Sequence, residues 1–230
     1  MSGLAHEFMM FDSRDEASRF VTQFIAGGLT KALELKGTAS LMVSGGSTPG
    51  PIFDALATTE LDWARVMVGL VDERWVNPED DASNERLVRS RLLKANAGAA
   101  GFLPMKTMDA MPQEAVADRD KAYAPHCEPA DMVFLGMGED GHFASLFPAM
   151  LDIDLAFNPE AKPKVISTAP MGNPKVSRLT MNLSMILGIQ TRILLIVGEK
   201  KKSILQKALV SNDLPIARLL AHDGTRIVYG

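Results

Sequence analysis

Short apolar runs alternate with helical segments along almost the whole chain, and this alternation is the strongest constraint on its fold. In the first helical segment Val21, Ile25 and Leu33 recur at helical spacing before a terminating Gly37. Strands separated by helices pair in parallel, because each helix returns the chain to the end where the previous strand began. We therefore predict an α/β fold, a doubly wound, largely parallel sheet with helices on both faces, of the Rossmann-like type. The predicted strands are residues 8–11, 40–43, 65–71, 102–105, 132–135, 165–168, 193–197 and 227–229, the last as an edge strand.

The segments between these strands complete the prediction. Polar loops are expected after strand 65–71, over residues 150–163 and over residues 170–178. The predicted helices run from a cap at Asp12 or Ser13 to Lys36, from the glycine turn at 44–50 through Ala57, over residues 83–95 and 113–123, and, as the last helix, from Gly198.

Length and composition describe one ordinary globular unit. The chain has 230 residues, of which 47% are hydrophobic and 23% charged, and a formal net charge of -4. This length predicts a single domain spanning residues 1–230. The mild acidity gives no reason to expect nucleic acid or an anionic membrane as partner, so an anionic substrate would need a locally cationic pocket.

Cysteine content and apolar runs predict a cytoplasmic protein. One cysteine, Cys127, excludes an intramolecular disulfide and fits a reducing compartment. Residues 1–7 lack the basic and apolar regions of a secretory signal, and apolar runs such as 193–197 are far shorter than the roughly 18 residues of a membrane span. We expect a monomer or a weak homodimer.

The densest cluster of chemically active side chains follows the apolar run 132–135. Gly136, Gly138 and Gly141 break the strand pattern and predict a tight turn, which carries Glu139, Asp140 and His142 at its end. Histidine titrates near neutral pH, and a neighbouring carboxylate can fix its tautomer. The cluster is a candidate general-base site, with a solvated loop as the alternative.

The three glycines of this turn also match the dinucleotide-binding pattern G-x-G-x-x-G. Its mechanism fails here, because Glu139 and Asp140 would place two negative charges against the pyrophosphate. The acidic residue that the pattern requires at the end of the next strand is missing as well. We therefore exclude a nucleotide site and expect no cofactor.

A second glycine turn favours an anion. Gly45, Gly46, Ser47 and Thr48 present small side chains and backbone N–H groups just before a helix, where phosphate is bound readily. The turn is neither a Walker A loop, since no Lys-Ser/Thr follows, nor a nucleophile elbow, since Pro49 stands where the last glycine is needed. A capped turn without a ligand is the open alternative.

Cations follow other predicted strands and could complete a phosphate site. They are Arg74, Lys175, Arg178 and one of Lys200 to Lys202; a guanidinium can grip phosphate bidentately, and a lysine supplies a point charge. Arg74 could equally form a structural ion pair, and Asn84 could cap its helix or bind a sugar hydroxyl. No metal site is expected, because His6, His126 and His222 have no ligand spacing with His142. Ligands of such sheets bind at the carboxyl ends of strands, which would bring these groups together.

Together these pieces resemble the glucosamine-6-phosphate isomerase/6-phosphogluconolactonase family of sugar-phosphate enzymes. The matching motifs, in chain order, are SGGSTP at 44–49, DERW at 72–75, SN at 83–84, GMGEDGH at 136–142 with ASLFP at 144–148, RLT at 178–180 and GEKK at 198–201. Among the family's activities the resemblance implies hydrolysis of 6-phosphoglucono-δ-lactone, a small sugar-phosphate lactone of the pentose phosphate pathway, without cofactor or metal.

The resemblance also implies roles for individual residues. His142 would activate water as general base, and Arg74 would stabilise developing charge. From the chemistry of the neighbouring carboxylates we expect Asp140 to orient His142, and Asp72 to be a local structural or orienting carboxylate that holds Arg74. Arg178 and Lys201 would grip the phosphate. The chain departs from the family pattern at Val176-Ser177, where a proline pair often follows the lysine, so Lys175 receives no role.

Two other functions fit parts of the sequence. One is an isomerase-deaminase of the same fold, whose relatives carry a glutamate five residues after the histidine, where this chain has Phe147. The other is a sugar-phosphate sensor, which would usually carry a DNA-binding appendage that we do not find in the sequence. Both predict a phosphorylated sugar as ligand, and neither predicts rapid hydrolysis of a lactone.

Overall fold

The structure, a computed structural model, describes residues 6–127 and 129–230. Its strands are β1 (Glu7–Met10), β2 (Ala39–Val43), β3 (Val66–Leu70), β4 (Asp72–Arg74), β5 (Gly101–Leu103), β6 (Met132–Gly136), β7 (Val165–Met171), β8 (Val176–Met181), β9 (Thr191–Ile196) and β10 (Thr225–Tyr229). Its α-helices are α1 (Arg14–Lys36), α2 (Gly50–Ala57), α3 (Asn84–Arg91), α4 (Pro112–Cys127), α5 (Asp154–Phe157), α6 (Leu183–Leu187), α7 (Glu199–Ala208) and α8 (Pro215–Leu220).

The longest helix, α1, begins and ends where its sequence predicts. The Ser13 hydroxyl accepts a hydrogen bond from the Glu16 N–H at the start, and Gly37 adopts a left-handed φ of 77° at the end. Val21, Ile25 and Leu33 are buried, so the periodic apolar stripe faces the core.

Seven strands form one parallel sheet in the order β1-β10-β9-β6-β2-β3-β5. All five residues of β2 are buried, and successive residues of a strand face opposite sides, so both faces of the sheet are covered there. The predicted α/β fold class is therefore confirmed. From β2 the chain adds β3 and then β5 on one side, and from β6, on the other side of β2, it adds β9 and then β10. The direction of winding therefore reverses between β2 and β6, which is the switch point of the topology.

A second, antiparallel sheet of three strands, in the order β4-β8-β7, was not predicted. The predicted strand 165–168 belongs to it rather than to the parallel sheet and extends to Met171. Residues 176–178, predicted as loop, begin β8, and the polar residues 72–74 form β4. These strands contain Asp, Glu, Arg, Ser and Thr, so they lack the continuous apolar run by which buried strands are recognised.

Four further predictions were wrong in detail. Strand β10 lies between β1 and β9, so it is an interior strand and β1 is the edge. The helix predicted over 83–95 ends at Arg91, and a 3₁₀ turn follows at Ala95–Ala99. The helix after Gly198 is followed by another, α8, and the predicted loop at 150–163 contains α5.

The structure can be compared with two expectations about targeting, namely that the chain has no secretory signal and no membrane span. Residues 1–5 of the segment expected to lack a secretory signal lie outside the described residues. Within the described ranges, none of the helices combines the length and the apolar character that crossing a membrane requires.

Candidate active site

One cavity lies at the carboxyl ends of the central strands, beside the switch point. It is lined by the two glycine turns, by β4 and β8 of the small sheet, and by the start of helices α3 and α7. Its lining residues are Ser44, Gly45, Gly46, Ser47, Thr48, Pro49, Asp72, Arg74, Asn84, Phe134, Gly136, Met137, Gly138, His142, Ala144, Arg178 and Lys201.

The first wall of the cavity is the turn at residues 44–48 between β2 and α2. Gly46 has a φ of 97°, which a side chain would strain. A Cβ on Gly45 would lie 1.9 Å from Oδ1 of Asn84, so only glycine lets these two segments meet. Within the described part of the chain no main-chain carbonyl accepts the N–H groups of residues 45–48. Unsatisfied N–H groups in a glycine turn that leads into a helix make this wall receptive to an anion.

The second wall carries His142. The turn is closed by a hydrogen bond from the Gly138 N–H to the His142 carbonyl, and Gly141 has a φ of 78°. A Cβ on Gly138 would lie 2.2 Å from Nδ1 of His142, so the glycine makes room for the imidazole. Nδ1 lies 2.5 Å from Oδ1 of Asp140, which also accepts the His142 backbone N–H. This contact leaves Nε2 as the ring nitrogen that Asp140 does not engage.

Partial burial acts to raise the pKa of the Asp140 carboxyl, but the hydrogen bonds and charge of His142 outweigh it and lower that pKa below its usual value. Asp140 is therefore ionised at neutral pH and can fix the ring orientation of His142. The other side of the imidazole meets Phe147, whose ring centroid lies 4.5 Å from that of His142.

Two arginines lie side by side on neighbouring strands of the small sheet. Arg74 and Arg178 are directly paired residues of β4 and β8, an arrangement that repels like charges unless an anion lies between or beside them. Arg178 is 2% exposed, and burial lowers the pKa of its guanidinium, with Asp72 opposing that change. The Nε atoms of both arginines are buried and have no hydrogen-bond partner among the described residues. Buried donors without protein acceptors beside a cavity are suited to hold an anionic ligand.

Asp72 is held by residues other than the expected Arg74. Its Oδ2 accepts the Ser145 hydroxyl at 2.5 Å and lies 3.9 Å from Nη1 of Arg178. The Arg74 guanidinium donates instead to the carbonyl of Ala82 at 2.7 Å. The expectation that Asp72 holds Arg74 was therefore wrong, because the antiparallel pairing places Asp72 opposite Thr180 and beside the long Arg178 side chain.

Asn84 does not cap its helix. Ser83 is the N-cap of α3, and its hydroxyl accepts the Arg86 N–H. The Asn84 amide donates to the Asp72 carbonyl at 2.8 Å, and its Oδ1 is buried without a partner among the described residues. Of the two alternatives left open by the sequence, capping is excluded, and Asn84 presents a polar atom beside the cavity.

Glu73 lies behind the cavity and fixes its neighbours, a role that sequence reasoning missed. The side chain is fully buried and accepts hydrogen bonds from the backbone N–H groups of Arg74, Asn84 and Glu85 and from the Ser83 hydroxyl, at 2.7 to 3.0 Å. Burial raises the pKa of Glu73 to about 7, and the three N–H donors limit the rise. One carboxylate thereby joins β4 to the N-terminus of α3.

We expect the Glu73→Gln variant to reveal this arrangement through pH. The folded-state pKa is raised from 4.5 to about 7, so ionisation of Glu73 makes wild-type stability fall as the pH rises between these values. At one pKa unit per 1.36 kcal/mol the loss is about 3 kcal/mol, and the glutamine variant lacks it. Urea unfolding at pH 5 and pH 8 measures the difference, with the exposed Glu34→Gln as control; equal pH slopes for wild type and E73Q would contradict the prediction.

Among the three consecutive lysines, Lys201 lines the cavity. Lys200 forms an ion pair with Glu139, and Lys202 lies 3.4 Å from Glu199. Burial lowers the pKa of Lys201, with the charge of Glu139 opposing it. Lys175, the cation left without a role, is exposed in the connection between β7 and β8 and does not line the cavity.

The structure thus brings together every site residue expected from the sequence. All line the cavity except Asp140, which contacts the lining His142. Ser145 and Phe147, which contact Asp72 and His142, were quoted only as parts of a motif or a rival pattern, and no periodic signal marks them. Residues 6–127 and 129–230 contain no group of three or more His, Cys, Asp or Glu that could hold a metal ion, and a metal-free site stays a prediction.

Comparisons with known proteins identify the family to which the chain belongs. Residues 12–228 match the family model described as glucosamine-6-phosphate isomerases/6-phosphogluconolactonase. The chain is 38% identical to a 6-phosphogluconolactonase of Rhizobium meliloti, over 92% of both chains. It is 37% identical to a 6-phosphogluconolactonase of Xylella fastidiosa, over 93% of this chain and 94% of the relative. It superposes on the crystal structure of a 6-phosphogluconolactonase from Shewanella baltica with a TM-score of 0.87 at 36% identity, covering 99% of both chains. The chain therefore belongs to the glucosamine-6-phosphate isomerase/6-phosphogluconolactonase family.

Proposed function

We propose that this chain is a 6-phosphogluconolactonase, which hydrolyses 6-phospho-D-glucono-1,5-lactone to 6-phospho-D-gluconate in the oxidative pentose phosphate pathway. The single observation that carries the proposal is the cavity, in which an Asp140-oriented histidine, two neighbouring arginines and an anion-receptive turn meet. The relatives named above supply the reaction, since they are called 6-phosphogluconolactonases.

The first step is attack of water on the lactone carbonyl. With Nδ1 of His142 against Asp140, the ring can accept a proton from water at Nε2. The imidazolium that forms lies close to the ionised Asp140 and against the face of Phe147, both of which favour a cation. His142 is therefore the general base and Asp140 the group that orients it.

The attack creates a tetrahedral oxyanion, which then expels the ring oxygen and opens the lactone. Arg74, whose Nε has no other acceptor among the described residues, is placed to stabilise the developing negative charge, together with backbone N–H groups of the glycine turns. The proton held by His142 is returned to the leaving ring oxygen. Asp72 holds Arg178 and Ser145 in position and takes no part in proton transfer.

The phosphate is bound at the other cations. Arg178 offers a guanidinium whose Nε has no acceptor in the described part of the chain, and Lys201 offers an ammonium. The turn of Gly45, Gly46, Ser47 and Thr48 offers N–H groups. Asn84 Oδ1 is left to accept a hydrogen bond from a sugar hydroxyl. The partner is therefore a small phosphorylated lactone, with a cytoplasmic location and a monomer or weak homodimer as further expectations.

The proposal is tested with freshly made lactone in a coupled assay that measures 6-phosphogluconate, run with and without excess EDTA. We expect rapid hydrolysis that EDTA does not change, and much slower hydrolysis of unphosphorylated gluconolactone, because the phosphate contacts are absent. Equal rates for both lactones would contradict the phosphate site. Loss of activity in EDTA, restored by a divalent ion, would contradict the metal-free mechanism.

A further inference from the structure

A cation that does not line the cavity donates hydrogen bonds to the anion-receptive turn at residues 44–48. Arg14 is the first residue of α1 and is exposed, and its Nη2 donates to the carbonyl of Ser47 at 3.2 Å and to that of Thr48 at 3.4 Å. The contact spans 33 residues of sequence between Arg14 and Ser47 and joins the start of α1 to the turn after β2. No periodicity or motif of the sequence marks Arg14.

The hydrogen bond fixes the direction of a neighbouring N–H group. A trans peptide unit is planar, and its C=O and N–H point in opposite directions. The Ser47 carbonyl and the Thr48 N–H belong to one such unit, so drawing the carbonyl toward Arg14 turns the N–H away from it. Ser47 and Thr48 both line the cavity, and the N–H groups of residues 45–48 have no main-chain acceptor within the described residues.

Arg14 also adds positive charge near Lys201. The guanidinium lies close enough to contribute to the lowered pKa of the Lys201 ammonium, after the larger effect of burial. None of the ion pairs found between described residues includes Arg14. Arg14 and Lys201 are thus two neighbouring cations, and Arg14 has no carboxylate partner among the described residues. Two such charges favour binding of an anion with more than one negative charge.

We propose that Arg14 is a positioning residue of the phosphate site, which holds the 44–48 turn with its N–H groups toward the ligand and selects the doubly charged form of a phosphate. The proposal rests on the phosphate site of the proposed function, and it adds a residue from a helix that does not line the cavity. Its charge acts on the second ionisation of phosphate, which has a pKa of about 6 to 7.

Binding of inorganic phosphate, measured by calorimetry, tests this directly and needs no turnover. We expect Arg14→Ala to weaken phosphate binding about tenfold at pH 8, the effect of losing one charged contact, and to weaken it less at pH 5.5, where phosphate carries one charge. Arg19→Ala, on the exposed face of the same helix, removes the same charge and should change neither value. Arg14→Lys should recover part of the affinity, since a lysine restores the charge but not the guanidinium geometry.

Turnover gives a second readout. With the phosphorylated lactone we expect the loss in R14A to appear in KM and not in kcat, and a thermal unfolding curve close to that of wild type, since Arg14 is exposed. Phosphate binding that is unchanged in R14A, or weakened equally by R14A and R19A, would overturn the proposal. If wild type binds phosphate but does not hydrolyse the lactone, the proposed reaction fails while the assignment of Arg14 stands.

Discussion

Replacing His142 with alanine should lower kcat by about 10²- to 10⁴-fold, the usual contribution of a positioned general base. The affinity for the product 6-phosphogluconate should stay nearly unchanged, because the phosphate contacts are made by other residues. The reason is geometric: the imidazole lines the cavity, and Asp140 occupies Nδ1 and leaves Nε2 for water. Steady-state kinetics and product binding on the same preparation measure both effects.

Two variants control this result. His126→Ala removes a histidine of α4 that does not line the cavity and should leave kcat unchanged. Asp140→Asn keeps the shape of the turn but replaces the carboxylate, so kcat should fall by less than in the histidine variant. Near-normal turnover in H142A would remove His142 from the mechanism.

Arg178→Ala should weaken binding of the phosphorylated lactone by about 1.5–3 kcal/mol, roughly 10- to 150-fold in KM, as expected for hydrogen bonds to a charged group. The guanidinium is buried, its Nε lacks an acceptor among the described residues, and Phe147 packs 5.1 Å from it. The variant should also be less stable, because Asp72 is left buried without its cationic neighbour.

A second buried arginine separates these two effects. Arg192 is 7% exposed and donates to the carbonyls of Leu187 and Ile189, at the amino end of β9 and away from the cavity. Arg192→Ala should lower the urea midpoint and leave KM unchanged, whereas R178A should change both. If KM in R178A stays at the wild-type value, Arg178 does not bind the phosphate.

The parallel sheet and the place of the site could be predicted because they depend on local sequence. Apolar runs such as 132–135 mark central strands, and glycine turns such as 44–50 mark their carboxyl ends, so the topology alone brings Ser47 and His142 to one edge. The sequence also indicated where the backbone requires glycine, since Gly138 and Gly141 lie in a turn that bulkier residues would block or strain.

The contacts that complete the site depend on pairing between distant segments. Ser145 donates to Asp72 across 73 residues, and Arg178 is placed by antiparallel pairing of β8 with β4, two polar strands that carry no apolar signal. No sequence pattern marks Glu73 either. Only the structure shows that its side chain is buried and that its carboxylate accepts hydrogen bonds from four donors. Such pairings follow from the second sheet, which nothing in the periodicity predicts.

The most direct test of the lactonase activity compares two reactions in one enzyme preparation. A deaminase needs several proton transfers, and its relatives carry a glutamate where this chain has Phe147, a ring that packs on His142 and can neither donate nor accept a proton. We therefore expect rapid acid release from 6-phosphoglucono-δ-lactone and no ammonia from glucosamine 6-phosphate. Ammonia release without hydrolysis of the lactone would contradict the assignment of the chain as a lactonase.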